Sequence, residues 1–152
     1  MHGWKLADWW SRYIGNQHTL TLKRSSKGKV AGSYLHIKWA EGYSVYATDE
    51  QAFIISVDHR EVLRPVDATK AVYFHKNFGP LFGRESLGVL YNENMNAKDN
   101  MCCCTNGGGG LEHYNVQKDA QGNSKLTGEG SGQRDDYKKC TIDALETWVI
   151  TY

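Results

Sequence analysis

The chain has 152 residues, 40% hydrophobic and 23% charged, which fits one folded domain with a real core and excludes a disordered chain. Its formal net charge of +1 removes the broad field that nucleic-acid and membrane-surface binders use, so no nucleic-acid partner is expected. No run reaches the roughly 18 apolar residues of a membrane helix, so no membrane insertion is expected either.

Residues 4–14 carry Trp4, Leu6, Trp9, Trp10, Tyr13 and Ile14 without an internal Gly or Pro. This spacing predicts a short helix, stopped by Gly15-Asn16, whose indoles pack on a sheet. From His18 the period becomes two. Thr19-Leu20-Thr21-Leu22 alternates, Ser25-Ser26-Lys27-Gly28 supplies a turn, and residues 29–39 return with Leu35, Ile37 and Trp39 on one face. The expectation is a β-hairpin with one buried side, followed by a loop over 41–50.

Ala52-Phe53-Ile54-Ile55-Ser56-Val57 is a continuous apolar run of strand length, predicted to be a central strand covered on both faces. Asp58-His59-Arg60-Glu61 turns the chain, residues 62–66 form a short strand with Pro65 at an edge, and residues 71–75 form another. Asn77-Phe78-Gly79-Pro80 is a turn, after which residues 81–83 and 87–91 carry the sheet onward. Residues 92–110 read as a long surface loop unable to build core, and 117–139 as a mobile connection. Residues 141–152 close the chain as a last strand, with Trp148, Ile150 and Tyr152 on one side and Leu145, Thr147 and Val149 on the other. The fold class is mainly β (α+β): an antiparallel β-sandwich with one N-terminal helix and long polar loops.

The residues that could carry chemistry cluster in the loop 92–106. Asn92, Glu93, Asn94, Asn96, Asp99 and Asn100 offer oxygen ligands of the kind calcium takes, with Glu93 and Asp99 as the carboxylates. Their spacing is not that of an EF-hand, and such residues also serve as solvated turn formers. Cys102, Cys103 and Cys104 are consecutive and Cys140 stands apart, which is no disulfide framework. They are read as free thiols, with one bridge from the triplet to Cys140 as the alternative in an oxidising compartment. Thiol-based redox chemistry at Cys102, Cys103 and Cys104 has only Lys98 nearby to lower a thiol pKa. His113 is the one histidine near the triplet, and His2, His18, His36, His59 and His75 are scattered. No spacing supports a catalytic constellation, so no catalytic residue is assigned.

Taken in order, four segments resemble the TLDc domain family. They are Thr19-Leu20-Thr21-Leu22 with the glycine-marked hairpin and Trp39, the strand around Phe53, the turn Phe78-Gly79-Pro80-Leu81-Phe82-Gly83, and the last strand around Trp148. The chain departs from the family pattern where Arg84-Glu85-Ser86 replaces a glycine run and an Asp, and it starts at the helix without the strand that precedes it in the family. The expectation is a single TLDc-like domain over 1–152 without that first strand. The resemblance implies a β-sandwich, a link to oxidation resistance or defence, and no agreed catalytic residues. For an intracellular member it also implies a protein partner, the vacuolar proton-pumping ATPase.

The leading expectation is therefore a non-enzymatic interaction module that docks through its loops. The alternatives are a calcium- or glycan-binding protein using loop 92–106, and a thiol-based redox protein. No cofactor is expected, calcium being the one ion that loop could hold. Met1-His2-Gly3-Trp4-Lys5 lacks the basic and then apolar order of a secretory leader, so the chain as it stands is expected in the cytoplasm, and outside the cell if a leader has been removed. Replacing Cys102, Cys103 and Cys104 together with Ser is expected to leave stability in urea melts nearly unchanged. A loss of several kcal/mol would reveal a bridge or a bound metal.

Overall fold

A computed structural model describes residues 5–42, 44–83, 86–88, 94–95, 113–128 and 141–152. The chain opens with helix α1 (Leu6–Tyr13) and continues through β1 (Thr19–Ser25), β2 (Val30–Leu35), β3 (Val45–Ala47), β4 (Phe53–Ser56) and β5 (Glu61–Leu63). A 3-10 helix (Ala68–Lys70), β6 (Val72–Phe74) and β7 (Ile142–Val149) complete it. Five strands form one antiparallel sheet in the order β5-β4-β2-β1-β7, while β3 and β6 form a second. The sheets share a core in which Ala31, Leu35 and Ile54 of the first meet Val72 and Phe74 of the second. This is the antiparallel sandwich with one N-terminal helix that the strand pattern predicts. No described helix is long and apolar enough to cross a membrane.

Helix α1 forms because Leu6 and Trp9, three positions apart, share a face that the core buries. Gly15, at φ +78, ends it, and the Gly15 N–H donates to the Trp39 carbonyl at 2.7 Å. Trp39 is 1% exposed and lies beyond the end of β2, so the return strand is shorter than residues 29–39. Its ring reaches the core from a loop, held by Trp39 N–H donating to the Asn16 carbonyl at 3.0 Å.

The hairpin has one buried side, with Leu35 and Trp39 in the core and Ile37 packed against it, but the strand that pairs with β2 turns a polar face inward. In β1 the buried residues are Thr19, Thr21, Lys23 and Ser25, whereas Leu20 and Leu22 are half-buried on the opposite face. The polar face points inward because partners wait there. Trp39 Nε1 donates to Thr19 Oγ1 (2.8 Å), Thr21 and Thr147 hydroxyls bond at 2.9 Å, and Trp9 Nε1 donates to Thr147 Oγ1 (3.1 Å). Lys23 Nζ donates to the Gly88 carbonyl at 3.0 Å, and Ser25 Oγ donates to the Thr127 carbonyl. Burying such groups unpaired would cost about 1–3 kcal/mol each.

Three further expectations change. The loop over 41–50 contains β3, which pairs Val45 with Phe74 and Ala47 with Val72. Strand β4 lies inside the sheet but second from its edge, and burial alternates along it: Ile54 and Ser56 are buried, Phe53 and Ile55 half-buried. The central strand is β2. Finally, Met95 within the polar loop, Tyr114 and Val116 just before the supposed connection and Leu126 within it all belong to the core. Isolated apolar residues in polar stretches carry no period, so pattern reading passes over them.

Ile54 is 0% exposed, so Ile54→Ala is expected to cost roughly 2–5 kcal/mol in urea or thermal melts. Phe53→Ala is expected to cost less, about 1–3 kcal/mol, because its ring is only partly buried on the outer face. A larger loss at Phe53 than at Ile54 would contradict this assignment of faces.

Candidate interaction face

Register decides which side chains of the large sheet lie together, since directly opposed residues project to the same side. One row runs Trp148, Leu20, Tyr34, Phe53 across β7, β1, β2 and β4. The next runs Glu146, Leu22, Gly32, Ile55, Val62 and reaches β5. Both rows lie on the side away from the core. Gly32 is the residue that lets this surface close: an added Cβ would stand 2.4 Å from Leu22 Cδ2 and 2.8 Å from Ile55 Cγ1. Without one, Leu22 and Ile55 approach each other over the backbone. The result is a continuous apolar face with Trp148 43% and Val62 59% exposed. Its charges sit at the margins. The Arg64 guanidinium lies 5.2 Å over the Phe53 ring on the β5 side, and Glu146 is exposed on the β7 side.

At the end of the first row the face deepens into an open cleft of about 560 Å³ between Leu20, Tyr34, Gln51, Phe53, Arg64 and Tyr152. Tyr34 stacks on Phe53 at 5.0 Å, and its hydroxyl bonds His18 Nδ1 (3.1 Å) and Tyr152 Oη (3.3 Å). Burial, and then the Tyr152 hydroxyl, push the Tyr34 phenol up to about 12. At neutral pH it is a protonated hydrogen-bonding group, unsuited to act as a base. The cleft wall is set by Asp49, which is buried and accepts from the backbone N–H groups of His36 (2.7 Å), Ile37 (3.3 Å) and Gln51 (3.0 Å). A carboxylate used this way is a structural cap. Arg64 Nη1 donates to the Gln51 carbonyl at 3.0 Å and ties β5 to the same wall.

Of the predicted ligand residues, only Asn94 is among the described ones. It is exposed, and its backbone bridges to Lys5 ahead of α1. Asn92, Glu93, Asn96, Asp99, Asn100, Cys102, Cys103, Cys104 and Cys140 lie outside the described residues. Among the described residues no group of three His, Cys, Asp or Glu side chains could hold a metal ion. His113 is buried with Nε2 3.3 Å from the Tyr46 hydroxyl.

The motif residues Phe78, Gly79, Pro80, Phe82 and Gly83 turn out to be scaffold. Phe82 is 1% exposed, its N–H donates to the Leu87 carbonyl at 2.8 Å, and the Phe78 carbonyl accepts from Trp10 Nε1 at 2.8 Å. Gly83 has φ +44, and a Cβ there would lie 2.6 Å from His113 Cβ, so no larger residue fits. The turn thus fastens α1 and the small sheet to the core. The sequence pattern picked out these residues, but it passed over the outer sheet surface of Leu22, Ile55, Val62, Arg64 and Glu146. The available signal was the Thr19 and Thr21 hydroxyls alternating with leucines near indoles that needed acceptors.

The architecture is a β-sandwich with one N-terminal helix and an apolar outer sheet face. The chain belongs to the TLDc family: the TLDc domain pattern matches residues 1–151, essentially its whole length. No curated protein matches the chain. The module is thus of TLDc type, from a family linked in general to oxidative stress and generally regarded as non-enzymatic.

One titration follows from the motif turn. His75 stacks on Phe78 at 4.2 Å, and its Nδ1 accepts from the Asn77 N–H at 3.2 Å. Burial, and then the neighbouring Lys76 charge, lower its pKa below the ordinary 6.5. The unfolded chain therefore takes up this proton more readily than the folded one. The stabilising contribution is whole above about pH 6.5 and is lost as pH falls below it. His75→Gln is expected to flatten that part of the pH dependence in urea melts, and an unchanged slope would show that His75 does not supply it.

Proposed function

We propose that this protein is a non-enzymatic interaction module that docks a protein partner on the outer face of its large sheet and the cleft at the end of that face. The observation that carries this reading is the apolar double row from Trp148 to Phe53 and from Leu22 to Val62, exposed at Trp148 and Val62 and half-buried at Leu20, Leu22, Phe53 and Ile55, with Arg64 and Glu146 at its margins. An apolar centre inside a polar rim is the anatomy of a protein interface, and contiguous apolar surface of this kind is uncommon on a surface with no partner. Trp148, Tyr152 and Arg64 are also the residue types that carry most binding energy in such surfaces. Membership in the TLDc family suggests the class of partner: subunits of a vacuolar proton-pumping ATPase.

The test is capture from a cell lysate with the full chain as bait. Proton-pump subunits are expected on the wild-type bait, with recovery at least tenfold lower on Trp148→Glu and Tyr152→Ala, whose side chains are exposed and whose melts should match wild type. Equal recovery on all three baits would rule out this face as the docking surface. If no pump subunit is retained by any bait, that partner class falls.

A further inference from the structure

The margins of the outer face differ in charge, and the difference has a symmetry. On the β5 side, Arg64 follows Val62 by two residues and lies over Phe53, at the end of the first row. On the β7 side stand Trp148 in the first row and Glu146 in the second. Turning a second copy by 180° about an axis parallel to the strands lays its β7 over this copy's β5. That places Trp148 of the second copy above Arg64 and Glu146 above Val62, one row from the guanidinium, twice over, because a two-fold interface repeats each contact. Leu20 and Leu22 of each copy then face Phe53 and Ile55 of the other at the spacing of stacked sheets, about 10 Å.

We infer that a second copy of this chain covers the outer face of the β5-β4-β2-β1-β7 sheet in a two-fold, face-to-face dimer held at each margin by Arg64 against Glu146 and Trp148. The inference rests on the reading of this face as a docking surface and names one occupant of it. The two-fold about the other in-plane direction lays β5 on β5 and leaves each Arg64 without an acid, so the charges select the first arrangement. Five strands at about 4.8 Å spacing and some six residues of length give a face of about 500 Å². Pairing two such faces buries about 1,000 Å², the lower limit for a specific interface, so the dimer is reversible and depends on concentration.

Sedimentation velocity or light scattering on the purified chain over a range of concentrations tests this. Wild type is expected to pass from monomer to dimer. Arg64→Glu and Glu146→Arg are each expected to stay monomeric where wild type is dimeric, since each puts like charges at both margins. An equimolar mixture of the two variants is expected to recover the dimer. One margin of the mixed pair then sets the introduced acid against the introduced base, and the other keeps Arg64 against Glu146. Val62→Ser, at an exposed edge position, should weaken the dimer without adding a charge, and far-ultraviolet circular dichroism should match wild type for every variant. A wild type that remains monomeric at several hundred micromolar overturns the inference. So does a dimer indifferent to both charge changes, or a mixture that stays monomeric. Failure here with pump subunits still captured leaves the docking reading standing, while a charge-dependent dimer with no captured partner removes the pump subunits as occupant and leaves the second copy.

Discussion

The fold depends on where the Trp39 indole sits. It is 1% exposed and touches Trp9 and Trp10 of the helix, Phe74 of the small sheet and Phe82 of the motif turn, with ring centroids 5.0 to 6.0 Å apart. Its Nε1–H needs an acceptor, and the Thr19 hydroxyl of the large sheet supplies one. One residue thus joins every layer of the domain, and its backbone also ties the end of α1 through Gly15 and Asn16. Removing the ring would open a cavity at this junction and leave Thr19 buried without its donor, two losses that add.

The direction of the sheet follows from the same bond. An indole N–H inside the core makes a threonine face the better inner face, and Thr21, Lys23 and Ser25 follow Thr19 by the two-residue period. Each finds its own partner in the helix side of the sandwich or in the segments around Gly88 and Thr127. Strand geometry then sends Leu20 and Leu22 outward. The apolar outer face is therefore a consequence of how the interior is satisfied, and the register carries it across all five strands.

Much of the architecture could be read from the residues. The helix, the hairpin turn at Gly28, the strand around Ile54 and the closing strand all lie where periodicity places them. Ile54 was legible as core because it stands in a continuous apolar run of strand length. Which face of β1 is buried was not legible, since alternation gives two faces and only the rule that leucine prefers the interior chooses between them. That rule lost here to hydrogen bonding from Trp9 and Trp39, which are distant in sequence from the strand they satisfy. Strand β3 was missed because three residues in a polar stretch show no period, and it exists only through its pairing with β6. The loop of Glu93, Asp99 and the cysteines attracted attention by composition, whereas the candidate surface is built from ordinary strand residues whose meaning lies in register.

That contrast bears on what the family motif means. Phe78, Gly79, Pro80, Phe82 and Gly83 are held by steric fit and backbone bonds, and Gly83 in particular has no room for a side chain beside His113. Such residues hold α1 and the small sheet against the core whatever the domain binds. The residues at the open face answer to different constraints: Val62, Trp148 and Glu146 are exposed, and the core packs without them. Substitution there changes what the sheet can hold without disturbing how it folds. Membership in the family therefore identifies the scaffold, and partner chemistry has to be read from the margins of the sheet, where a guanidinium over a ring on one side faces an acid and an indole on the other.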